Sequence, residues 1–362
     1  MPTRVNILYE QTYSGNTESL IFPISYNIKR LRERGVFVTF FTKDIPTLFD
    51  CDTLFVSSRF FSSWWIKAGK ESVLGFLHEA REKNVRRIVW YDIGDSTGSN
   101  KFDVLPYVDR YVKGQVLRNR TAYQKHFYGM RPATDFYHTH FGVEDTLPTE
   151  PHLGTIPPDG ELHKLMVGWN WGMKNYGYYG EVLGKIAYRL PWFPRLVPRR
   201  WYVPSVYRPI ALSCRIGSSY PRNTVAFPRQ EIKRRLQGRV ETRFLSRRQF
   251  FKEMTQSIVG LTPFGWGEVC YRDFELTLAG AAMMKQDMGH LETWPDLYHG
   301  ETTYLPFRWD FSDFDEKVDY VMTHPQEMVE RAITAQAIYR RVLTTEEGHQ
   351  EFCDRFMTIV GL

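Results

Sequence analysis

Cysteine is scarce, and its placement excludes two classes of protein. Cys51, Cys214, Cys270 and Cys353 are scattered with no Cys-x-x-Cys pair, so neither a zinc site nor a disulfide framework is expected. Long apolar runs are also missing. No window of about 18 residues is uninterruptedly apolar, which argues against a membrane-spanning helix. Met1 to Val5 leads straight into a strand without the charged-then-apolar build of a signal peptide. A cytoplasmic protein is therefore expected. Zinc-finger, basic-zipper and RNA-recognition signatures are absent too, so nucleic acid is not an expected partner.

Acid is absent from one stretch. Between Val182 and Gln230 there is no Asp or Glu, yet Lys185, Arg189, Arg195, Arg199, Arg200, Arg208, Arg215, Arg222 and Arg229 all fall there. These nine charges exceed the whole formal charge of +6, so the rest of the chain is mildly acidic. The pI near 9.0 is thus the property of one band. Apolar residues at 43 %, charged residues at 24 % and a mean hydropathy of −0.40 describe a soluble globular chain. Its 362 residues suit two domains of ordinary size.

Strand and helix patterns alternate in both halves. Val5–Tyr9, Val36–Thr42, Thr53–Ser57 and Arg87–Tyr91 read as strands, with helices over Ser19–Arg34 and Ser72–Lys83. His163–Trp169 reads as a further strand. Arg189–Pro209 carries five prolines, which exclude a continuous helix and mark a connector. Beyond it, strands are expected at Ala211–Ile216, Val240–Leu245, Ile258–Leu261 and Ala281–Lys285. Helices are expected at Phe227–Leu236, Ser246–Thr255 and Cys270–Ala279, then from Ser312 to Leu362 with a break at Pro325. Such crossover units imply an α/β fold with parallel sheets, two Rossmann-like domains facing a cleft. The expected boundaries are 1–160 for an acceptor domain and 161–209 for its last strand plus the connector. Residues 210–340 form a donor domain and 341–362 a helix returning to the first domain.

The most informative segment is Leu261-Thr262-Pro263-Phe264-Gly265-Trp266-Gly267-Glu268-Val269-Cys270-Tyr271-Arg272-Asp273-Phe274-Glu275, followed five residues on by Gly280. A strand runs into a Pro/Gly turn, then a helix, then a glycine. Here the chain resembles the nucleotide-sugar glycosyltransferases of the GT-B fold. Many of these carry a glutamate, then Phe-Gly, then a second glutamate eight positions after the first and a glycine five further on. Phe264-Gly265, Glu275 and Gly280 keep that pattern; Gly267 stands where the first glutamate would be, with Glu268 beside it. The resemblance implies that Glu275 accepts the donor's ribose hydroxyls while the turn of Gly265, Gly267 and Glu268 meets diphosphate and sugar. It further implies that Arg215, Arg222 or Arg272 grips the diphosphate through a planar, permanently charged fork. Solvated glutamates on a helix face are the plainer alternative.

Catalytic groups are expected from the first half. Asp92-Ile93-Gly94-Asp95 ends a strand at the edge where ligands bind in α/β sheets. Asp95 is a candidate general base. His138, in Asp135-x-x-His138-x-His140, is a second candidate; without a third ligand nearby the pair is not read as a metal site. Ser14 and Asn16, in Ser14-Gly15-Asn16-Thr17-Glu18, and Trp169 and Asn170, in Gly168-Trp169-Asn170-Trp171, are candidates for holding an acceptor sugar by hydroxyls, amides and ring faces. Simple helix capping and packing at the domain seam compete with these roles. SGNTE also resembles the phosphate loop of flavodoxins, which would make the protein a flavin-binding oxidoreductase. For that reading Trp64-Trp65 or Trp90-Tyr91 would have to flank the flavin.

Together the motifs point to metal-independent transfer of a sugar from a nucleotide sugar to a glycan or lipid-linked glycan, with no cofactor. Resemblance adds a place in lipopolysaccharide, capsule or other surface-polysaccharide synthesis. The partial glutamate motif suggests retention, an Asp95 base inversion; a non-catalytic glycan- or membrane-binding protein is a third reading. The connector, with Trp192, Phe193, Trp201, Tyr202 and Tyr207 among arginines, suits an anionic membrane surface, placing the protein peripherally at the inner face.

Overall fold

The computed structural model describes residues 2–62, 68–146, 155–189, 197–198 and 200–362. Trp64, Trp65, Trp192, Phe193, Arg195 and Arg199 lie outside the described residues. The first sheet contains β1 (Thr3–Leu8), β2 (Val36–Phe41), β3 (Thr53–Ser57), β4 (Arg87–Asp92), β5 (Arg110–Lys113) and β7 (Leu165–Val167). It is parallel throughout, in the order β2-β1-β3-β4-β5-β7. β3 and most of β4 are buried, as expected for parallel strands covered on both faces. Strand order reverses between β1 and β3, which opens a crevice beyond their carboxyl ends.

The second sheet, β12-β10-β9-β8, is also parallel and consists of β8 (Ile210–Ser213), β9 (Ser257–Leu261), β10 (Ala282–Gln286) and β12 (Tyr304–Phe307). A small antiparallel pair ties the two halves together: β6 (Gln115–Leu117) bonds with β11 (Leu291–Thr293). The helices, in chain order, are α1 (Gly15–Tyr26), α2 (Ile28–Glu33), α3 (Lys70–Glu82), α4 (Pro132–Phe141), α5 (Gly180–Arg189), α6 (Asn223–Arg235), α7 (Arg247–Gln256), α8 (Tyr271–Ala279), α9 (Phe314–Thr323), α10 (Pro325–Thr344) and α11 (Glu346–Val360).

Three local expectations are corrected. The helix expected over Ser19–Arg34 is two helices: Pro23 supplies no amide hydrogen, and Asn27 turns its side chain back onto the Pro23 carbonyl at 2.9 Å. Val240–Leu245 is not a strand. It has no partner in the four-stranded sheet, and Phe244 is 90 % exposed. The third is an omission: His138 and its neighbours stand on α4, a helix absent from the expected elements, whose Tyr137 packs with Leu212, Val259 and Phe311 in the core of the second sheet. A helix from the first 160 residues thus completes the second half. Conversely, α11 lies on the first half, with Phe352 and Phe356 against Trp169.

Candidate functional site

The glycine-rich turn after β9 is held by side chains on every side. Asp273 accepts from the Cys270 amide (3.0 Å) and Thr262 (2.6 Å) and pairs with fully buried Lys285 (3.2 Å), which fixes the start of α8. Gly267 lies so close to the Asp95 carbonyl that a Cβ would overlap it. The turn is thereby pressed against the loop after β4. Glu268 is buried and accepts from Ser96 Oγ (2.8 Å), Thr97 Oγ1 (2.9 Å) and the Thr97 amide (3.1 Å). The expectation that Glu268 binds donor is overturned, because its buried carboxylate is turned onto Ser96 and Thr97 of the opposite half.

Glu275 is different. It lines an open cavity of about 560 Å³ together with Tyr13, Gly15, Lys174, Arg247 and Tyr271. Its carboxylate has no hydrogen-bond partner among the described residues. Burial raises its pKa above the usual value, opposed by Arg272, Arg247 and Lys174. Both halves supply walls of this cavity. Lys174 pairs with Glu18 at 3.1 Å, and Tyr13 donates to Glu18 at 2.7 Å.

The arginines divide into two kinds. Arg215 holds Glu253 through two nitrogens (2.8 and 2.9 Å) and also meets the Arg243 carbonyl. It lines a separate cavity beside β8 and has no fork left for phosphate, which corrects its expected role. Arg272 instead stacks over Phe250 at 5.1 Å and leaves a buried Nε with no partner. Burial and the neighbouring Arg229 lower its pKa. Arg229, not among the expected ligands, donates to the carbonyls of Phe264, Pro263 and Gly217. Arg222 donates to the Gly129 carbonyl at 3.1 Å, as does Arg131 at 2.8 Å; Arg131 also reaches the Trp266 carbonyl. Gly265 packs beside the Arg229 guanidinium. Cations satisfied only by carbonyls keep their charge for an anion.

Asp95 lines a second open cavity, of about 610 Å³, with Ser58, Arg59, Ser62, Asn100 and Lys101. Its carboxylate accepts from Asn16 Nδ2 at 3.3 Å, and Asn16 in turn accepts from Tyr271. This short chain runs from the lining of the second cavity to Tyr271 in the lining of the first. Asn16 is therefore part of the seam. Ser14 caps α1, accepting from the Thr17 amide at 3.1 Å.

Trp169 and Asn170 are corrected outright. Trp169 is 1 % exposed, with its ring against Phe352; Asn170 is fully buried and spends its side chain on Thr293, Pro295 and the Gly172 amide. No ring face or amide is left for a sugar. His138 bonds the Val143 carbonyl at 2.9 Å and stacks on Tyr128 at 3.9 Å, a packing role at the end of α4. The flavin reading fails on the same ground. Tyr271 fills the space over Gly15, and Trp90 and Tyr91 are core residues. Among the described residues no cluster of three His, Cys, Asp or Glu could hold a metal.

A further residue escaped the sequence reading. Glu10 follows β1 at the crevice where strand order reverses; it accepts from Ser57 at 3.2 Å and faces Arg59 at 3.5 Å. Burial pushes its pKa up to about 7. A single Glu in a loop carries no motif, and only the reversal of strand order marks it.

Two parallel sheets, bridged by β6 and β11 and with α11 lying back on the first half, give the chain the parallel α/β class expected from its sequence. Solved structures of similar path include a glycosyltransferase from Rickettsia africae ESF-5, with TM-score 0.45, 10 % identity and 99 % of both chains covered. An α-glucosyltransferase in complex with UDP and DNA has TM-score 0.46 and 10 % identity over 100 % of both chains. WaaG, a glycosyltransferase of lipopolysaccharide biosynthesis, has TM-score 0.40 and 12 % identity, covering 99 % of this chain and all of that one. No family model matches the sequence, and no curated protein matches it.

Proposed function

We propose that the protein transfers a sugar from a nucleotide sugar to a glycan or lipid-linked glycan. The observation that carries this reading is Glu275, a carboxylate without a hydrogen-bond partner in a cavity built from both halves and flanked by Lys174 and Arg247. An ionised carboxylate in that setting suits a ribose diol, and the unpaired Arg272 Nε at the start of α8 suits the diphosphate. The second cavity, lined by Asp95, would take the acceptor. There the acceptor hydroxyl gives its proton to Asp95 as its oxygen attacks the anomeric carbon. The bond to the diphosphate breaks, and arginine charge stabilises the leaving oxygens without a metal. A role in surface-polysaccharide synthesis is the finer reading; it rests on resemblance of the Phe264–Glu275 motif.

Calorimetric titration with UDP-, GDP- and CMP-sugars tests the reading. At least one should bind, and Glu275→Ala should weaken it about 10- to 150-fold, the equivalent of a charge-assisted hydrogen bond of roughly 1.5–3 kcal/mol. Binding unchanged by the substitution removes Glu275 from the site; no binding by any nucleotide sugar removes the function.

A further inference from the structure

α5 presents an apolar stripe to solvent. Tyr179, just before α5, and Val182 and Ile186 on it, at helical spacing i, i+3, i+7, are 66 %, 55 % and 36 % exposed, while Ala187 is buried. Buried helices of a globular protein turn such a stripe inward. Here the inward face is narrow: Gly184 packs so closely on the Glu18 carboxylate that a Cβ would overlap it. The start of α7 lies alongside, joined by the Arg247–Glu181 ion pair at 3.1 Å and the Tyr178–Phe251 ring contact at 5.4 Å. Just before α7, Phe244 is 90 % exposed and is flanked by exposed Arg243 and, further on, exposed Arg248.

We infer that this face, α5 together with the Arg243–Arg248 segment, docks on an anionic lipid surface. Charge complementarity selects that occupant. Exposed Lys185, Arg243, Arg247 and Arg248 outnumber the exposed acids of this face, Glu181 and Glu241, so its net charge is positive. Rings and aliphatic side chains bordered by arginine match the headgroup zone of an anionic leaflet, where each basic residue adds about 1 kcal/mol and the apolar face is buried at the acyl boundary. The location gives the docking a purpose. Gly177, Glu181 and Arg247 also line the cavity that holds Glu275, so the docking face adjoins the proposed donor site. The docking does not depend on sugar transfer and can be measured without a donor.

The test is co-sedimentation of the full chain with vesicles of phosphatidylglycerol and, separately, phosphatidylcholine. Binding to the anionic vesicles alone, weakened by added salt, is expected. Val182→Asp with Ile186→Asp should reduce it about 10-fold or more, and Arg243→Glu with Arg248→Glu by a similar factor. These side chains are exposed, so an unchanged melting temperature verifies the fold of each variant. Equal binding by wild type and variants overturns the inference. So does a concentration-dependent dimer in sedimentation velocity that the Val182/Ile186 variant abolishes, since a second copy would then be the occupant.

Discussion

Glu10 is a carboxyl whose surroundings oppose its charge. Burial dominates, and Arg59 and Ser57 offset only part of it, so its pKa rises from 4.5 to about 7. Between those values the folded chain holds a proton that the unfolded chain has released. Its contribution to stability is therefore complete below about pH 4.5 and is lost as pH rises through 7, amounting to about 3 kcal/mol. Glu10→Gln should accordingly unfold at higher urea than the wild type at pH 8 and at much the same urea at pH 4.5. A gap between the two that does not change with pH would refute the assignment. Other side chains at this scale were readable only by type. Arg215 and Arg272 look alike in sequence; Glu253, 38 residues away, occupies one and nothing pairs with the other's Nε. Glu275 and Glu268 differ for the same reason. Periodicity places a residue on an element, but the partner it meets comes from a distant strand or loop.

The turn after β9 behaves as a latch between elements. Glu268 accepts three hydrogen bonds from Ser96 and Thr97, and all of these groups are buried. Glu268→Ala would leave two hydroxyls and an amide unsatisfied around a gap, at a cost of at least about 2 kcal/mol. The variant should melt at lower temperature and show a larger radius of gyration by small-angle scattering as the halves part. A lower melting temperature with an unchanged radius would make Glu268 a packing residue of the turn alone. The motif around it was legible as strand, turn and helix because proline, glycine and the Cys270–Asp273 cap act within a few residues. That the turn would press on Asp95 was not. Gly267 reads as a freed backbone, and its reason is the carbonyl of a residue 172 positions earlier.

At the scale of the molecule, the chain ends are woven across the halves. α11 sets Phe352 and Phe356 on Trp169, and Arg30 pairs with Glu346. Arg87 reaches the Val360 carbonyl. Ending the chain at Thr345 would uncover this apolar face of the first sheet. The shortened protein should bind a hydrophobic dye and aggregate, whereas an intact melting transition would show that the first half is closed without α11. Among the described residues no helix is long and apolar enough to cross a membrane.

By itself the sequence determined what short-range physics controls. The strand runs, the Pro/Gly turn, the two-sheet α/β class and the acid-free band all follow from spacing and composition. Tertiary structure decided which of the marked residues remain available. Burial consumed Trp169 and Asn170, ion pairing consumed Arg215, the seam consumed Glu268, and α4 was drawn from the first half into the second core. Those outcomes depend on contacts between residues tens to hundreds of positions apart. The acid-free stretch changes meaning in the same way: Lys185 stands exposed on α5, whereas Arg215 and Arg208 are spent on Glu253 and on backbone carbonyls.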